Sequence, residues 1–594
     1  MRKVIVFGVD GLTMPLLKRY VGQGALPNIA RMFQQGAAAE LLPFISAWGD
    51  VNWVTFLAGQ SPGTSWRGQS LPPDNQATHN LLAAMQQAGK KAALVHFPES
   101  IKADGDHFSF APYWGRGKPW PGEIFKPMGH TTRLPAQGEA RPQSLGWPPR
   151  GSLAYHNKGA WQALVKTAEG YQLTLNGGHG DSRTLLLRIE AGQAQLRLGS
   201  ETVTLPRQAW SPWLSLAALD IAGSVRFYLG RCDAENEDVE LLQSQVTRAY
   251  ALSEQPHLAR QLLEKGPFFS KWVAKAAANG DYLSATWQEG DEQSQWLVDS
   301  ALTLTQRENY ALWATVHRLV DESHHNCLGQ CDPDSPFYQA QDAEQHDAVM
   351  RKCYQILDTS IGRLMNEMDD ETVLMLASDH GAVPNRYMCD IYRYLEKQQL
   401  AVLDEQGLPD MARTPLYLKD ERGGLEIFVN LKGREASGVV EVADIDDVCA
   451  RALQALANWQ VNDQGQVRNA VSIALRKEDA AGIGFWGECA GDIIFAYNTG
   501  FVWGVSQSGE DICPVSEPGA NHGPQKPTAE TAMGSNYGVL LAFGRGIRQG
   551  YYHDRQQRGP YRMVDPAATI AHLLGISGSD LDGRVMREML DASC

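Results

Sequence analysis

The sequence has no CxxC pair and no dense cysteine framework. Its nine cysteines are scattered over 594 residues, which argues against a disulfide scaffold and for reduced thiols in a cytoplasmic protein. No apolar run approaches the roughly 20 residues that a membrane span needs. The opening "MRKVIVFGVDG" holds an apolar stretch of only about six residues, shorter than the core of a signal peptide. A basic excess is also missing, since the formal net charge is −15. That excludes broad electrostatic binding to a nucleic acid polymer or an anionic membrane, though not a local basic pocket. There is no internal repeat and no low-complexity tract. What is present is ordinary globular material, with 43% hydrophobic and 20% charged residues. The length calls for one large domain with insertions, or for two to four domains.

The chain alternates strand-like and helix-like segments. "KVIVFGVDG" is a continuous apolar run without alternation, as in a strand buried on both faces of a parallel sheet. "MPLLKRYVGQGALPNIARMFQQG" follows with helical spacing and a glycine stop. "KKAALVHFP", "TVLMLASDHG" and "YGVLLAFGRGI" read as further strands, and "DPAATIAHLLGI" as a helix. The pattern predicts an α/β fold with a doubly wound, mostly parallel sheet. Two segments break the alternation. Residues 116–250 open rich in proline and glycine and continue as short alternating runs such as "YQLTLNGG", which predicts a β-rich insertion. Residues 401–505 mix the helix-like "IDDVCARALQALANW" with strands, which predicts a second, α+β insertion. The core is then expected in three parts, 1–115, 251–400 and 506–594.

Ligands in doubly wound sheets sit beyond the carboxyl ends of the strands. Asp10 and the Asp379–His380 pair fall at such ends. "VHRLVDESHHN" places Asp321 and His325 four apart, on one face of a helix, although His324 and His317 are also near. His522 sits in "GANHGPQ", where glycine permits close approach to an ion. Each signal alone has a plain reading, as a turn, a helix cap, a solvated helix face or a surface histidine. Together, three carboxylates and three imidazoles can hold two divalent ions. The mixed nitrogen and oxygen donors favour zinc, with manganese or iron as alternatives. Two ions about 4 Å apart can clamp the attacking and leaving oxygens of an in-line displacement at phosphorus.

These motifs resemble the alkaline phosphatase superfamily, and within it the type I phosphodiesterase and nucleotide pyrophosphatase-like branch of predicted phosphohydrolases and phosphomutases. "VIVFGVDG" is similar to the family's first strand and metal aspartate. "NWVTFLAGQSPG" resembles its W-x-x-F-x-x-G helix, "DESHH" its Asp-x-x-x-His, "ASDHG" its Asp-His pair and "GANHG" its last histidine. The C-terminal "VDPAATIAHLLGISGSDLDGRVMREML" is similar to the family's closing helix. The resemblance implies one ion held by Asp321, His325 and His522, and another by Asp10, Asp379 and His380. It also implies a metal-dependent phosphoric ester hydrolase acting on a small phosphate or sulfate ester.

One motif departs from the family. The family's nucleophilic Ser or Thr lies ten residues before the glycine that here is Gly59, and the Trp53, Phe56 and Gly59 register places Gly49 in that slot. Three arrangements follow. The slot is empty and water attacks directly, since zinc lowers the pKa of bound water to about 7. Or Asp50 serves as ligand, base or nucleophile, against its plain reading as a helix N-cap. Or "GDVN" is a local insertion and Ser46 bends back into the slot. Arg67 is a candidate for the substrate anion, or simply a solvated side chain. Loss of the alcohol also suits sulfuryl or phosphoryl transfer to a second substrate, and a third reading is a non-catalytic, metal-binding relative.

Overall fold

The computed structural model describes residues 2–46, 49–65, 80–98, 106–110, 123–125, 128–133, 161–176, 182–190, 193–220, 223–233, 235–248, 252–253, 255–269, 272, 282–419, 424–506, 508–576 and 581–592. Its centre is a sheet of ten strands. They are β1 Lys3–Val9, β2 Ala37–Leu42, β3 Ala92–Val95, β4 Asp106–Ser109 and β5 Leu252–Ser253, followed by β6 Leu312–His317, β7 Thr372–Ala377, β8 Gly538–Phe543, β9 Tyr551–His553 and β10 Tyr561–Arg562. The order across the sheet is β5-β4-β3-β6-β1-β7-β8-β2-β9, with β10 also paired to β2. β1 lies parallel between β6 and β7, Val9 opposite His317 and Gly8 opposite Ala377. Only β5 and β8 run against the rest. The fold is thus α/β with a large, mostly parallel sheet. Every residue of β1, β6 and β7 is buried, which explains their unbroken apolar character.

Helices cover both faces. The segment after β1 forms two helices rather than one, α1 Met14–Gly22 and α2 Pro27–Gln35. Gly24 takes a φ of +74° between them, and Pro27, lacking an amide hydrogen, opens the second. α3 spans Gly49–Ala58, α4 Leu283–Leu302, α5 Leu319–Cys331, α6 Ala343–Glu367 and α7 Asp565–Leu573.

Between 123 and 248 the described strands lie outside the central sheet. Five of them, from Val165–Thr167 to Glu201–Leu205, form an antiparallel meander. Leu173, Leu175, Leu185 and Leu187 point from alternate positions into one small core. Arg226 fastens this part to α4 through Glu292 and, at 3.9 Å, Glu289, with the guanidinium stacked over Trp210 and Trp213. Between 401 and 505, four antiparallel strands pack with the helix Ile445–Asn458. Among the described residues no helix is long and apolar enough to cross a membrane.

Candidate metal centre

The carboxyl edge of the sheet carries the chemistry. β1 runs out into Asp10, β7 into Ser378, Asp379 and His380, and β6 into Arg318 and then α5. Gly11 follows Asp10 with a φ of +74°, and a Cβ there would stand 3.0 Å from Asp321 Oδ1. Glycine is therefore needed for the first turn of α5 to approach the end of β1. Ser378 staples the neighbouring pieces together. Its hydroxyl donates to the Leu12 carbonyl at 2.8 Å and accepts from the Val539 amide at 2.9 Å.

Two groups of three candidate ligands form there. Asp10, Asp379 and His380 offer atoms within 4.8 Å of one another, and so do Asp321, His325 and His522. His380 Nε2 lies 2.9 Å from Asp379 Oδ2 and 3.1 Å from Asp10 Oδ1. His325 Nε2 lies 3.3 Å from Asp321 Oδ2, and His522 Nε2 is 3.9 Å from Asp321 Oδ1. The rings of His380 and His522 stack, with centroids 3.6 Å apart and planes at 6°, so the two groups adjoin.

Backbone carbonyls set the rings. The Gly381 carbonyl accepts from His380 Nδ1 at 2.8 Å, and the Ala520 carbonyl accepts from His325 Nδ1 at 2.6 Å. Each leaves Nε2 as the outward donor atom. The same Ala520–Asn521 strand carries the chain into His522 and pairs with Val383–Pro384, just beyond His380. The spacing in "VDESHH" is resolved by packing. His324 turns to the Tyr354 hydroxyl on α6, 3.1 Å away, and His317 Nε2 lies 3.0 Å from Ser294 Oγ on α4.

Whether the donor set suits a metal pair turns on how its polar atoms are satisfied. Both carboxylate oxygens of Asp321 and of Asp379, His380 Nε2 and His522 Nδ1 are buried, and none makes a hydrogen bond. Their close distances are not hydrogen bonds, although the atoms of each group lie within 4.8 Å of one another. Orphaned buried acceptors are costly, and divalent cations would satisfy them, so the residues fit.

The electrostatics express the same crowding. Burial, then the neighbouring Asp10, pushes the Asp379 carboxyl up to about 7. Burial disfavours the His380 imidazolium, but Asp379 and Asp10 more than reverse this and hold it well above its ordinary value. Burial likewise opposes the Asp321 carboxylate, yet His325 and His522 outweigh it and keep the group well below its usual range. His522 is held well below its ordinary value by burial and by His380.

The nucleophile region is partly described. α3 begins at Gly49, so Asp50 lies inside its first turn rather than at a cap outside it; the side chain of Asp50 lies outside the described residues, as does Arg67. Trp53 of α3 packs against Gly8, where a Cβ would stand 2.7 Å from the indole. That holds the helix beside the strand that carries Asp10. Ser46 is buried. Upstream of it, the Phe44 amide donates to Asn52 Oδ1 at 2.8 Å, so the loop closes back onto α3. The sequence reading overlooked Arg318, which stands beside both metal groups. Its signal was its place, at the end of a buried strand and three residues before Asp321.

Residues 4–66 and 234–525, more than half of the chain, match the family described as type I phosphodiesterase / nucleotide pyrophosphatase. No curated protein sequence matches the chain significantly. Among solved structures, murine ectonucleotide pyrophosphatase / phosphodiesterase 5 in complex with AMP is similar at 10% identity, over 100% of each chain, with a TM-score of 0.45. Alkaline phosphatase PafA is similar at 13% identity, over 100% of this chain and 99% of its own, with a TM-score of 0.45. Phosphonoacetate hydrolase from Sinorhizobium meliloti, in complex with phosphonoacetate, is similar at 12% identity, over 97% and 96%, with a TM-score of 0.43. By the match over more than half its length, the chain belongs to the type I phosphodiesterase / nucleotide pyrophosphatase family, within the alkaline phosphatase superfamily, and its class is that of the phosphoester hydrolase-like enzymes.

Proposed function

We propose that the protein is a two-metal enzyme that cleaves a small phosphate ester or diester in the cytoplasm. Asp321, His325 and His522 hold one ion, and Asp10, Asp379 and His380 the other. The observation that carries this reading is the pair of adjoining ligand groups in which the buried carboxylate oxygens of Asp321 and Asp379 make no hydrogen bond. Three carboxylates with three imidazoles suit zinc first, and manganese or iron next. When bound, the ions supply Lewis-acid stabilisation of charge on the phosphoryl oxygens.

The chain's own residues supply orientation. Gly381 and Ala520 fix the faces of His380 and His325 through their carbonyls. A cation held there would favour the Asp379 carboxylate, offsetting the burial and the neighbouring Asp10 that push its carboxyl up. The first turn of α3 presents backbone amides toward an anion, as helix N-termini do. In the leading form, Gly49 leaves the alcohol's slot empty, Asp50 serves the site or its edge, and water attacks in one displacement. A second form has Ser46 as the attacking group; the closed loop between Phe44 and Asn52 favours it, because it brings Ser46 back toward the start of α3.

The test is elemental analysis together with turnover. The purified protein should carry about two divalent ions per chain and hydrolyse an aryl phosphate diester or monoester faster than the matching sulfate ester. Asp379→Ala and His522→Ala should each lose metal and activity. Full occupancy in both variants would show the ligand assignment to be wrong. A metal-free wild type would favour the non-catalytic reading.

A further inference from the structure

Tyr354 reaches both ligand groups from behind the metal centre. It lies on α6, fully buried, with its ring edge-on to that of Tyr20 of α1 at a centroid distance of 5.1 Å. Its hydroxyl meets two segments. It accepts from the Thr13 amide at 3.4 Å and lies 3.1 Å from His324 Nε2. An amide can only donate, so the hydroxyl proton remains for His324, which accepts it at Nε2. The two segments serve different ligand groups. Thr13 closes the turn that follows Asp10, and a Cβ on Gly381 would stand 2.7 Å from its Cγ2, so Thr13 also touches the residue after His380. Ser378 fastens the same turn through the Leu12 carbonyl. His324 sits in α5 between Asp321 and His325.

The contact between Gly11 and Asp321 limits how closely α5 approaches the end of β1. Being steric, it does nothing to stop α5 from drawing away. The Tyr354 hydroxyl, bonded on both sides, opposes that movement. The pull matters most in the loaded protein. Two ions that act on one phosphoryl group stand about 4 Å apart, and two dications at that range repel each other and push their ligand groups apart.

We propose that Tyr354 is a positioning residue that ties the two ligand groups together through Thr13 and His324 and so sets the separation of the two ions. The inference rests on the two-ion reading above and concerns what holds those ions at their working distance.

The experiment is calorimetric titration of the metal-stripped protein with zinc, paired with electron paramagnetic resonance of the manganese-loaded form, whose exchange coupling reports the separation of the ions. Wild type should take up two ions. Tyr354→Phe keeps the ring and removes the hydroxyl. It should weaken binding of the second zinc about tenfold, the lower end of what outer partners of a metal site contribute, and should weaken the manganese coupling. Tyr20→Phe is the control for a purely structural role. It removes the buried hydroxyl of the other ring of the pair, which donates to Asp347 at 2.9 Å, and should lower stability without moving either readout. His324→Leu breaks the tie at its other end and should reproduce Tyr354→Phe; it carries the test by itself where Tyr354→Phe does not fold. The double variant should bind zinc no more weakly than either single one. Wild-type zinc affinity and coupling in Tyr354→Phe would overturn the proposal. So would equal zinc losses in Tyr354→Phe and Tyr20→Phe, or additive losses in the double variant. A wild type that takes up no metal sinks the two-ion reading itself, and this inference with it.

Discussion

Replacing Gly8 by alanine should damage the metal centre from inside the sheet. Gly8 lies in β1, two residues before Asp10, and is flanked by β6 and β7. A Cβ at this position would run into the Thr315 carbonyl of β6 and would stand 2.7 Å and 2.9 Å from two carbons of the Trp53 indole. Both obstacles are fixed. The carbonyl is backbone in a central parallel strand, and Trp53 is fully buried against Phe56 and Phe97. Neither can retreat without moving β6 or α3. Overpacking of this kind costs about 1–3 kcal/mol, and even the lower figure changes the ratio of folded to unfolded protein about fivefold. The displacement also reaches Asp10 and the start of α3, so metal content should fall with stability. Urea denaturation followed by tryptophan fluorescence, paired with elemental analysis, measures both. Gly8→Ala combined with Trp53→Phe should recover only part of the stability, because the carbonyl remains in the way. A Gly8→Ala protein with wild-type midpoint and wild-type metal would refute the claim that Trp53 is seated on this glycine.

Two further outcomes concern other parts of the molecule. Ser46→Ala should keep most activity while Asp50→Ala loses activity or metal, and a phosphorylated Ser46 trapped and seen by mass spectrometry would reverse that assignment. Acid should loosen the β-rich part through His130, whose ring lies 2.9 Å from Gln243 Oε1. Burial lowers its pKa to about 4, against about 6.5 when unfolded. Between those values the unfolded chain binds a proton that the folded chain does not. The contribution is therefore complete above pH ~6.5 and is lost as pH falls toward 4, by about 3 kcal/mol in order of magnitude. His130→Gln should flatten the pH dependence of the denaturation midpoint over that window, and an unchanged slope would rule His130 out as its source.

The proposed metal residues stand out in the sequence where a local rule governs them. Asp10 and the Asp379–His380 pair follow fully buried strands, and acidic groups rarely end such runs without a use. The spacing of Asp321 and His325 is a helix-face rule, but it could not choose among three histidines. That choice is made by Tyr354 and Ser294, which lie on helices distant in sequence. β8 looks like any other buried strand, and nothing in "GVLLAF" shows that it runs antiparallel to β7. The same apolar pattern serves either direction, which the path of the chain decides. The split between α1 and α2 was available in Gly24 and Pro27 but was hidden by the apolar periodicity that continues through both. Arg318 was overlooked because a basic residue before a helix reads as solvated until the two carboxylates are seen beside it.

The place of β1 has a consequence for how the protein is made. Its two neighbours in the sheet begin at Leu312 and Thr372, so during synthesis this strand waits for partners made hundreds of residues later. At synthesis rates of about 5–20 residues per second, that wait lasts tens of seconds. Throughout it, "KVIVFGV" is an apolar strand with two open edges, the kind of segment that nascent chains must have shielded. Asp10, at its end, waits longer still for the full candidate ligand set, since His522 is the last of the six to be made. Under the proposed ligand assignment, both sites are complete only in a chain made at least through His522.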